Sequence, residues 1–68
     1  MEAREILSAR EIEIIQQIAN GLTNREVGAL LDISDKTAST HRKNILRKLQ
    51  IKNTALLIRF ALEKKLVQ

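Results

Sequence analysis

The chain has 68 residues, which is enough for one small domain. Hydrophobic residues make up 44% of it and are almost all aliphatic, and the absence of proline with only two glycines favours short-looped helical packing. The absence of cysteine excludes disulfides and thiolate metal sites. No apolar run reaches the roughly 18 residues of a membrane span. Because the lack of cysteine fits a reducing compartment, we expect a cytoplasmic protein.

Positive charge is concentrated in one segment of the chain. The formal net charge is +4, yet residues 36–52 hold six basic residues and no acidic residue, so the remainder is net negative. This asymmetry indicates a polyanionic partner such as nucleic acid. The alternative is a basic helix face that is simply solvated.

The first predicted helix begins after Ser8. Ser8 and Glu11 have the spacing of a capping box, in which each side chain bonds the other residue's backbone N–H. Gly21 lies where the helix should stop in a left-handed conformation. Residues 1–6 are predicted to be a linker or tail. Glu11 falls inside the apolar arc, where we assign it to capping rather than catalysis, and the other members of that arc are Leu7, Ile14, Ile15, Ile18 and Ala19.

The second predicted helix begins with another capping box, Thr23 to Glu26. Residues 32–34 end it, and two or three residues are too few for an antiparallel hairpin. The turn therefore predicts the sharp crossing of a helix-turn-helix. Gly28 lies inside this helix at a cost of about 1 kcal/mol relative to alanine. We expect a small residue there to let the third helix pack closely, with alanine serving nearly as well.

The third predicted helix, residues 35–49, has two opposite faces at 100° per residue. Its buried face contains Ala38, Ile45 and Leu49. The opposite face carries short polar groups among cations, which suits phosphates and base edges in a DNA major groove. The residues of that face are Lys36, Ser39, Thr40, Lys43 and Arg47.

The fourth predicted helix begins at Asn53 or Thr54, either of which can cap it. A second apolar face, Leu56 with Phe60, lies away from the core and indicates a partner surface. The alternative is two scattered exposed hydrophobic residues, which are common. The inward arc is predicted to contain Leu57, Ile58, Ala61 and Leu62.

From Leu7 to Val67 the chain resembles the LuxR-type helix-turn-helix domain of NarL/FixJ response regulators and quorum-sensing regulators. The matching stretches include Leu7-Ser8-Ala9-Arg10-Glu11, Thr23-Asn24-Arg25-Glu26-Val27, Leu31-Asp32-Ile33-Ser34 and Asn44-Ile45 with Lys48-Leu49. The resemblance implies an all-α, four-helix LuxR-type helix-turn-helix bundle over residues 7–68, serving as the output domain of a two-component response regulator. The departures from the family's usual residues are Gly28, Ala38, Ser39, Thr54, Leu57 and Lys65.

Site residues follow from this face pattern and the resemblance together. The base-reading candidates are Ser39, Thr40 and Lys43. The phosphate-contacting candidates are Thr23, Asn24, Arg25, Lys36, Thr37, Arg47 and Lys48. A dimer through the fourth helix would read an inverted repeat in double-stranded DNA. The residues expected at its interface are Leu56, Arg59, Phe60 and Glu63. RNA polymerase is a further expected partner.

Three other classes of function compete with this interpretation. A sigma-factor-like promoter-recognition domain has a related four-helix plan, and a small helical interaction module could present the basic face to an acidic protein. An interaction face would more often carry large apolar anchors than the short Ser39 and Thr40. An enzyme fits least, because one histidine, His41, has no acid–base or metal-ligand cluster around it. We therefore expect no cofactor, metal, small-molecule ligand or membrane partner.

Overall fold

The computed structural model describes residues 3–66, and within that range the chain is helical with no strand. The four predicted helices are present, which confirms the all-α fold class, and a one-turn helix precedes them. The 15-residue helix has the predicted bounds. The helices are α1 (Ala3–Ile6), α2 (Ala9–Ala19), α3 (Asn24–Leu31), α4 (Asp35–Leu49) and α5 (Thr54–Glu63).

The short helix α1 differs from the predicted tail over residues 1–6. Its last residue, Ile6, is half-buried, and Leu7 is buried directly after it. One helical turn therefore forms directly before the first buried apolar residue of the chain that the structure describes. Residues 1–2 and 67–68 lie outside the described residues, so the limits of the domain stay a prediction.

Helix α2 is the centre of the fold, because it packs against α3, α4 and α5. The predicted apolar arc of α2 is confirmed by Ile14, Ile15 and Ile18, none more than 5% exposed. Burial of this stripe against three neighbours is the main stabilising contribution in so small a domain. The remaining buried apolar residues are Leu7, Ile12, Val27, Ala38, Ile45, Leu57, Ala61 and Leu66.

Each of the four longer helices begins at a residue whose side chain accepts a hydrogen bond from the backbone N–H three residues on. Such bonds satisfy donors that have no partner within the helix. Both predicted capping boxes are complete, and Asn53 rather than Thr54 caps α5. Each helix start depends on residues only three positions apart, and the predicted starts are confirmed. The capping residues are Ser8, Thr23, Ser34 and Asn53.

The ends of the helices rely on left-handed backbone conformations. Gly21 follows α2 with φ of 93°, as predicted, and costs little because it has no Cβ. The other three ends place a side chain in this region, at φ of 59°, 55° and 57° respectively, in Asp32, Gln50 and Lys65. Each such residue has a steric cost that glycine would avoid.

Gly28 sets the distance between α3 and the turn that leads into α4. A Cβ built on Gly28 would lie 2.6 Å from the carbonyl oxygen of Ile33 and 3.3 Å from the carbonyl carbon of Ser34. The expected close approach is therefore confirmed, but it is made by the backbone of the turn. The expectation that alanine would serve nearly as well is wrong, because the obstructing atoms are backbone and cannot swing aside.

Helix α5 departs from its predicted inward arc at one position. Leu57 and Ala61 are fully buried and Ile58 is half-buried, but Leu62 is 57% exposed. Leu62 lies about 140° around the helix from Leu57, at the margin of the arc. Leu66, beyond the helix end, enters the core instead, and its carbonyl accepts a hydrogen bond of 2.9 Å from the Gln16 side chain.

Candidate nucleic-acid interface

The outward face of α4 is polar, cationic and solvent-exposed. Its predicted residues lie opposite Ala38 and Ile45, which are 1% and 0% exposed and hold the helix on the core. Ser39 is half-buried at the edge of this face. The structure therefore brings the three base-reading candidates into one arc. The exposed residues of the face are Lys36, Thr40, Lys43 and Arg47, and Thr37, which is also exposed, lies to one side of it.

Two of the phosphate-contacting candidates on α4 are oriented by neighbours in the same helix region. The Ser34 hydroxyl accepts from the Thr37 backbone N–H at 3.0 Å and donates to the Thr37 hydroxyl at 2.9 Å. The Thr37 hydroxyl thus accepts that bond, and its own proton remains available for a further hydrogen bond. Arg47 donates to the Asn44 side-chain oxygen at 3.1 Å, which fixes its guanidinium on the exposed surface.

The start of α3 supplies the remaining phosphate candidates, Thr23, Asn24 and Arg25. The backbone N–H groups of Asn24 and Arg25 belong to the first turn, where helices leave donors free for an anion. Thr23 is engaged locally, because its hydroxyl accepts from the Glu26 N–H at 3.2 Å. The Thr23 backbone N–H and hydroxyl bond Glu26 and lower the pKa of its carboxyl, so a negative charge lies beside this helix start.

Lys48 is in a different position from the other candidates. Its ammonium nitrogen lies 2.8 Å from a carboxylate oxygen of Glu11, whose side chain is only 6% exposed. The same oxygen accepts from the Ser8 backbone N–H at 2.8 Å. Sequence reasoning missed this pair, although an acid within an apolar arc was a signal. A phosphate role for Lys48 stays a prediction, but the structure gives its charge a partner within the chain.

The ionisation of Glu11 is governed by opposing influences. Burial raises the pKa of its carboxyl, while the hydrogen bond from Lys48, the Ser8 backbone N–H and the positive charge of Lys48 lower it. The lowering contributions are greater together, so the pKa lies below its ordinary value. Glu11 is therefore a buried carboxylate that stays charged near neutral pH.

Arg42 links α4 to α5. Its terminal nitrogen donates to the Thr54 hydroxyl at 3.1 Å, in the first turn of α5. Its Nε atom is buried and has no hydrogen-bond partner among residues 3–66. Thr54 is one of the departures from the family's usual residues, and its hydroxyl accepts a hydrogen bond from the guanidinium of Arg42 on the neighbouring helix.

The predicted dimer residues line one open groove of about 500 Å³ beside α5. Leu56 is 43% exposed, whereas Phe60 is half-buried and packs partly on the core. Arg59 and Glu63 form an exposed ion pair of 3.1 Å along the groove. The structure therefore brings all four residues together, and Gln50, Ile51 and Lys52 also line the groove.

Neither a metal centre nor a membrane span is found in the described part of the chain. No three histidine or acidic side chains within it are placed to share a metal ion. None of its helices is long and apolar enough to cross a bilayer.

A short turn between α3 and α4, with a buried face on α4 and cations on its outer face, defines a helix-turn-helix DNA-binding domain. Residues 5–61 match the family described as bacterial regulatory proteins, luxR family. The chain belongs to this family, which confirms the resemblance. It is accordingly a DNA-binding regulatory domain and not an enzyme.

Two curated relatives are similar to the chain over nearly all of its length and are themselves much longer. The oxygen regulatory protein NreC of Staphylococcus carnosus strain TM300 is 44% identical over 62 residues, covering 91% of this chain and 29% of the relative. The NreC of Staphylococcus aureus strain JH9 is 42% identical over 64 residues, covering 94% and 30%. The chain thus spans about three-tenths of the length of these relatives.

Proposed function

We propose that this domain is the output domain of a response regulator and reads an inverted-repeat promoter site as a dimer, with α4 in the major groove. The observation that carries the proposal is the outward face of α4, where exposed cations surround short polar side chains directly opposite a buried stripe. Relatives that are about three times longer support an additional domain in the whole protein.

Base recognition is assigned to Ser39, Thr40 and Lys43. A lysine ammonium can donate to guanine O6 or N7, and a threonine methyl can pack on a thymine methyl. Ser39 is half-buried, whereas Thr40 and Lys43 are exposed, so the Ser39 side chain extends the shortest distance toward a base. These three side chains would carry the sequence preference.

Phosphate contacts are assigned to both sides of the motif. Lys36, Thr37 and Arg47 extend from α4, and the first turn of α3 offers backbone N–H groups with the Arg25 side chain. A monomer that neutralises three phosphates with Lys36, Arg47 and Arg25 should show a log–log salt slope of about −2.7. An affinity that does not change with salt would contradict the assignment.

Dimerisation is assigned to the groove beside α5. One recognition helix reads only a few base pairs, so two copies on a two-fold axis are needed for a specific site. Phe60→Asp should weaken cooperative DNA binding, because it places a charge among the apolar side chains that line the groove. Leu62→Asp is the matched control, since Leu62 is on the same helix, exposed and outside the groove.

The dimer test needs a folding control because Phe60 also touches the core. Circular dichroism of both variants gives that control. Loss of cooperativity in Phe60→Asp alone, with helical signal retained, supports the dimer surface. Equal loss of fold in Phe60→Asp would assign Phe60 to the core instead.

The DNA-reading proposal is tested by selecting bound duplexes from a genomic library, with the wild type and with Lys43→Ala. An enriched inverted repeat that is lost or broadened in Lys43→Ala supports sequence-specific reading. Lys64→Ala removes an exposed cation from outside α3 and α4 and should leave the selected motif unchanged. Salt-sensitive binding without an enriched motif would mean that the domain binds DNA only by nonspecific charge attraction, which would contradict sequence-specific reading.

A bacterial regulator of this kind acts on chromosomal DNA, which gives the cytoplasm as its proposed location. RNA polymerase is its proposed further partner, because a regulator bound beside a promoter meets that enzyme there. Copurification of core polymerase with the domain on promoter DNA tests the contact, and its absence on a selected site would remove this partner.

A further inference from the structure

The DNA-facing helix is fixed to the core at both of its ends. At its start, Ser34 caps it and the turn backbone lies against Gly28. At its far end, Lys48 in the last turn reaches Glu11 at the start of α2, 37 residues earlier in the chain. The first attachment is local in sequence, whereas the second joins two distant segments.

The position of Lys48 around α4 separates it from the cations that face DNA. Consecutive residues on a helix differ by about 100°, so Lys48 points well away from Arg47. It is only about 60° from Ile45, which is fully buried. Lys48 therefore lies at the border between the buried stripe and the outer face, with its ammonium directed to the core side.

The two members of the pair differ strongly in exposure. The side chain of Lys48 is 40% exposed and that of Glu11 is 6% exposed. A carboxylate so deeply placed requires a compensating cation, because a lone buried charge is costly. Lys48 could turn toward a phosphate only by leaving the Glu11 carboxylate with the Ser8 backbone N–H as its hydrogen-bond donor.

We infer that Glu11 and Lys48 form a positioning pair that fixes the carboxyl-terminal end of the DNA-reading helix, and that Lys48 does not neutralise a phosphate. This inference rests on the proposed function of α4 and deepens it. It changes the role of one predicted phosphate contact and adds Glu11, an α2 residue, to the residues on which DNA reading depends.

The pairing is tested first without DNA, by a thermal double-mutant cycle on the whole chain. Glu11→Gln and Lys48→Met should each lower Tm by about 4–8 °C, the shift that 1 kcal/mol produces in a domain of this size. The double variant should lose less than the two shifts added, because the second change has no partner left to disrupt. Tm shifts that add in the double variant would show that Glu11 and Lys48 do not interact, and would overturn the inference.

A matched cycle uses Arg47→Met with Glu11→Gln. Arg47 is the neighbouring cation on α4 and is bonded to Asn44 rather than to Glu11. Its shift should therefore add to that of Glu11→Gln. Lys48→Arg provides the conservative rescue, since it retains a cation within reach of Glu11, and it should recover most of the lost Tm.

The second test measures the salt dependence of binding to a labelled duplex of mixed sequence. Arg47→Met should reduce the log–log slope by about 0.9, the contribution of one phosphate contact. Lys48→Met should leave the slope unchanged. A reduction of about 0.9 in Lys48→Met would overturn the inference. If Lys48→Met does not fold, the Glu11→Gln, Lys48→Met double variant replaces it, because it leaves no unpaired buried charge.

A third measurement separates positioning from simple stabilisation. Well below Tm, Glu11→Gln should lower the ratio of specific to nonspecific affinity by about three- to thirtyfold, because a shifted α4 misplaces its base contacts. If the ratio of specific to nonspecific affinity is unchanged in the folded variant, the pair contributes only to stability, and its positioning role is overturned. Failure of the wild type to bind DNA would overturn the proposed function instead, and the thermal cycle would still decide the pair.

Discussion

The two capping boxes share a motif and differ in everything around it. Both α2 and α3 begin with a hydroxyl residue followed three positions later by glutamate, and both boxes are complete. Glu11 is buried and bonded to Lys48, whereas Glu26 is exposed and, among residues 3–66, its side chain is bonded to Thr23 alone. A four-residue motif therefore specifies a helix start but not the tertiary contacts of its glutamate.

The largest difference between the boxes should appear when each glutamate is truncated. Glu11→Ala removes a cap and a buried ion-pair partner, and should lower the free energy of unfolding by about 2–3 kcal/mol. Glu26→Ala removes only an exposed local bond and should cost much less. Denaturant unfolding of both variants measures this difference, and equal losses would show that the contact with Lys48 contributes nothing.

Acid should also distinguish the boxes. Folding lowers the pKa of Glu11, so its negative charge stabilises the native state at every pH above the ordinary glutamate pKa of about 4.3. This stabilisation is lost as the pH falls below that value and the carboxylate becomes protonated. Glu11→Gln should therefore flatten the decline of stability below about pH 4.3. Chemical unfolding at several pH values tests this. An unchanged decline would mean that other carboxyls account for it.

The hydroxyl residues should behave alike in stability and differently in DNA binding. Ser8→Ala and Thr23→Ala each remove one capping acceptor and should cost about 1 kcal/mol. Only Thr23 lies at the proposed phosphate contact of α3, so only its variant should weaken binding to a mixed-sequence duplex. Equal affinities for the two folded variants would remove Thr23 from the interface.

The smallest expected effect is an increase in affinity. Glu26 places a negative charge at the start of α3, where a phosphate is proposed to bind. Glu26→Gln should therefore tighten DNA binding about two- to fivefold at low salt, and less at high salt. Anisotropy titrations at two salt concentrations measure this change, with Glu13→Gln on α2 as the charge-matched control. A tightening of the same size in Glu13→Gln would indicate a general charge effect.

The local part of this fold was predictable from the sequence. Caps, the Gly21 stop and the bounds of α4 depend on residues within a few positions of one another, and they match the structure. The opposite faces of α4 follow from helical period, so Ala38 and Ile45 were placed correctly in the core. The basic, polar face was predictable for the same reason.

The contacts between distant segments were not predictable in the same way. Lys48 was grouped with the phosphate candidates because periodicity does not show which buried acid lies across the helix interface. Leu62 was placed inward because a ten-residue helix leaves the margin of its arc ambiguous, and Leu66 was not expected to replace it. The obstruction at Gly28 arises from the backbone of a turn, and a pattern of side chains carries no information about it.

Three helix ends in this domain leave room for engineered thermostability. Asp32, Gln50 and Lys65 hold left-handed conformations that cost L-residues about 1 kcal/mol each, part of which glycine would recover. Lys65 lies beyond α5, outside both the basic face of α4 and the residues that line the α5 groove. Lys65→Gly therefore offers a more heat-resistant form of this domain in which the residues proposed to contact DNA and to form the dimer are unchanged.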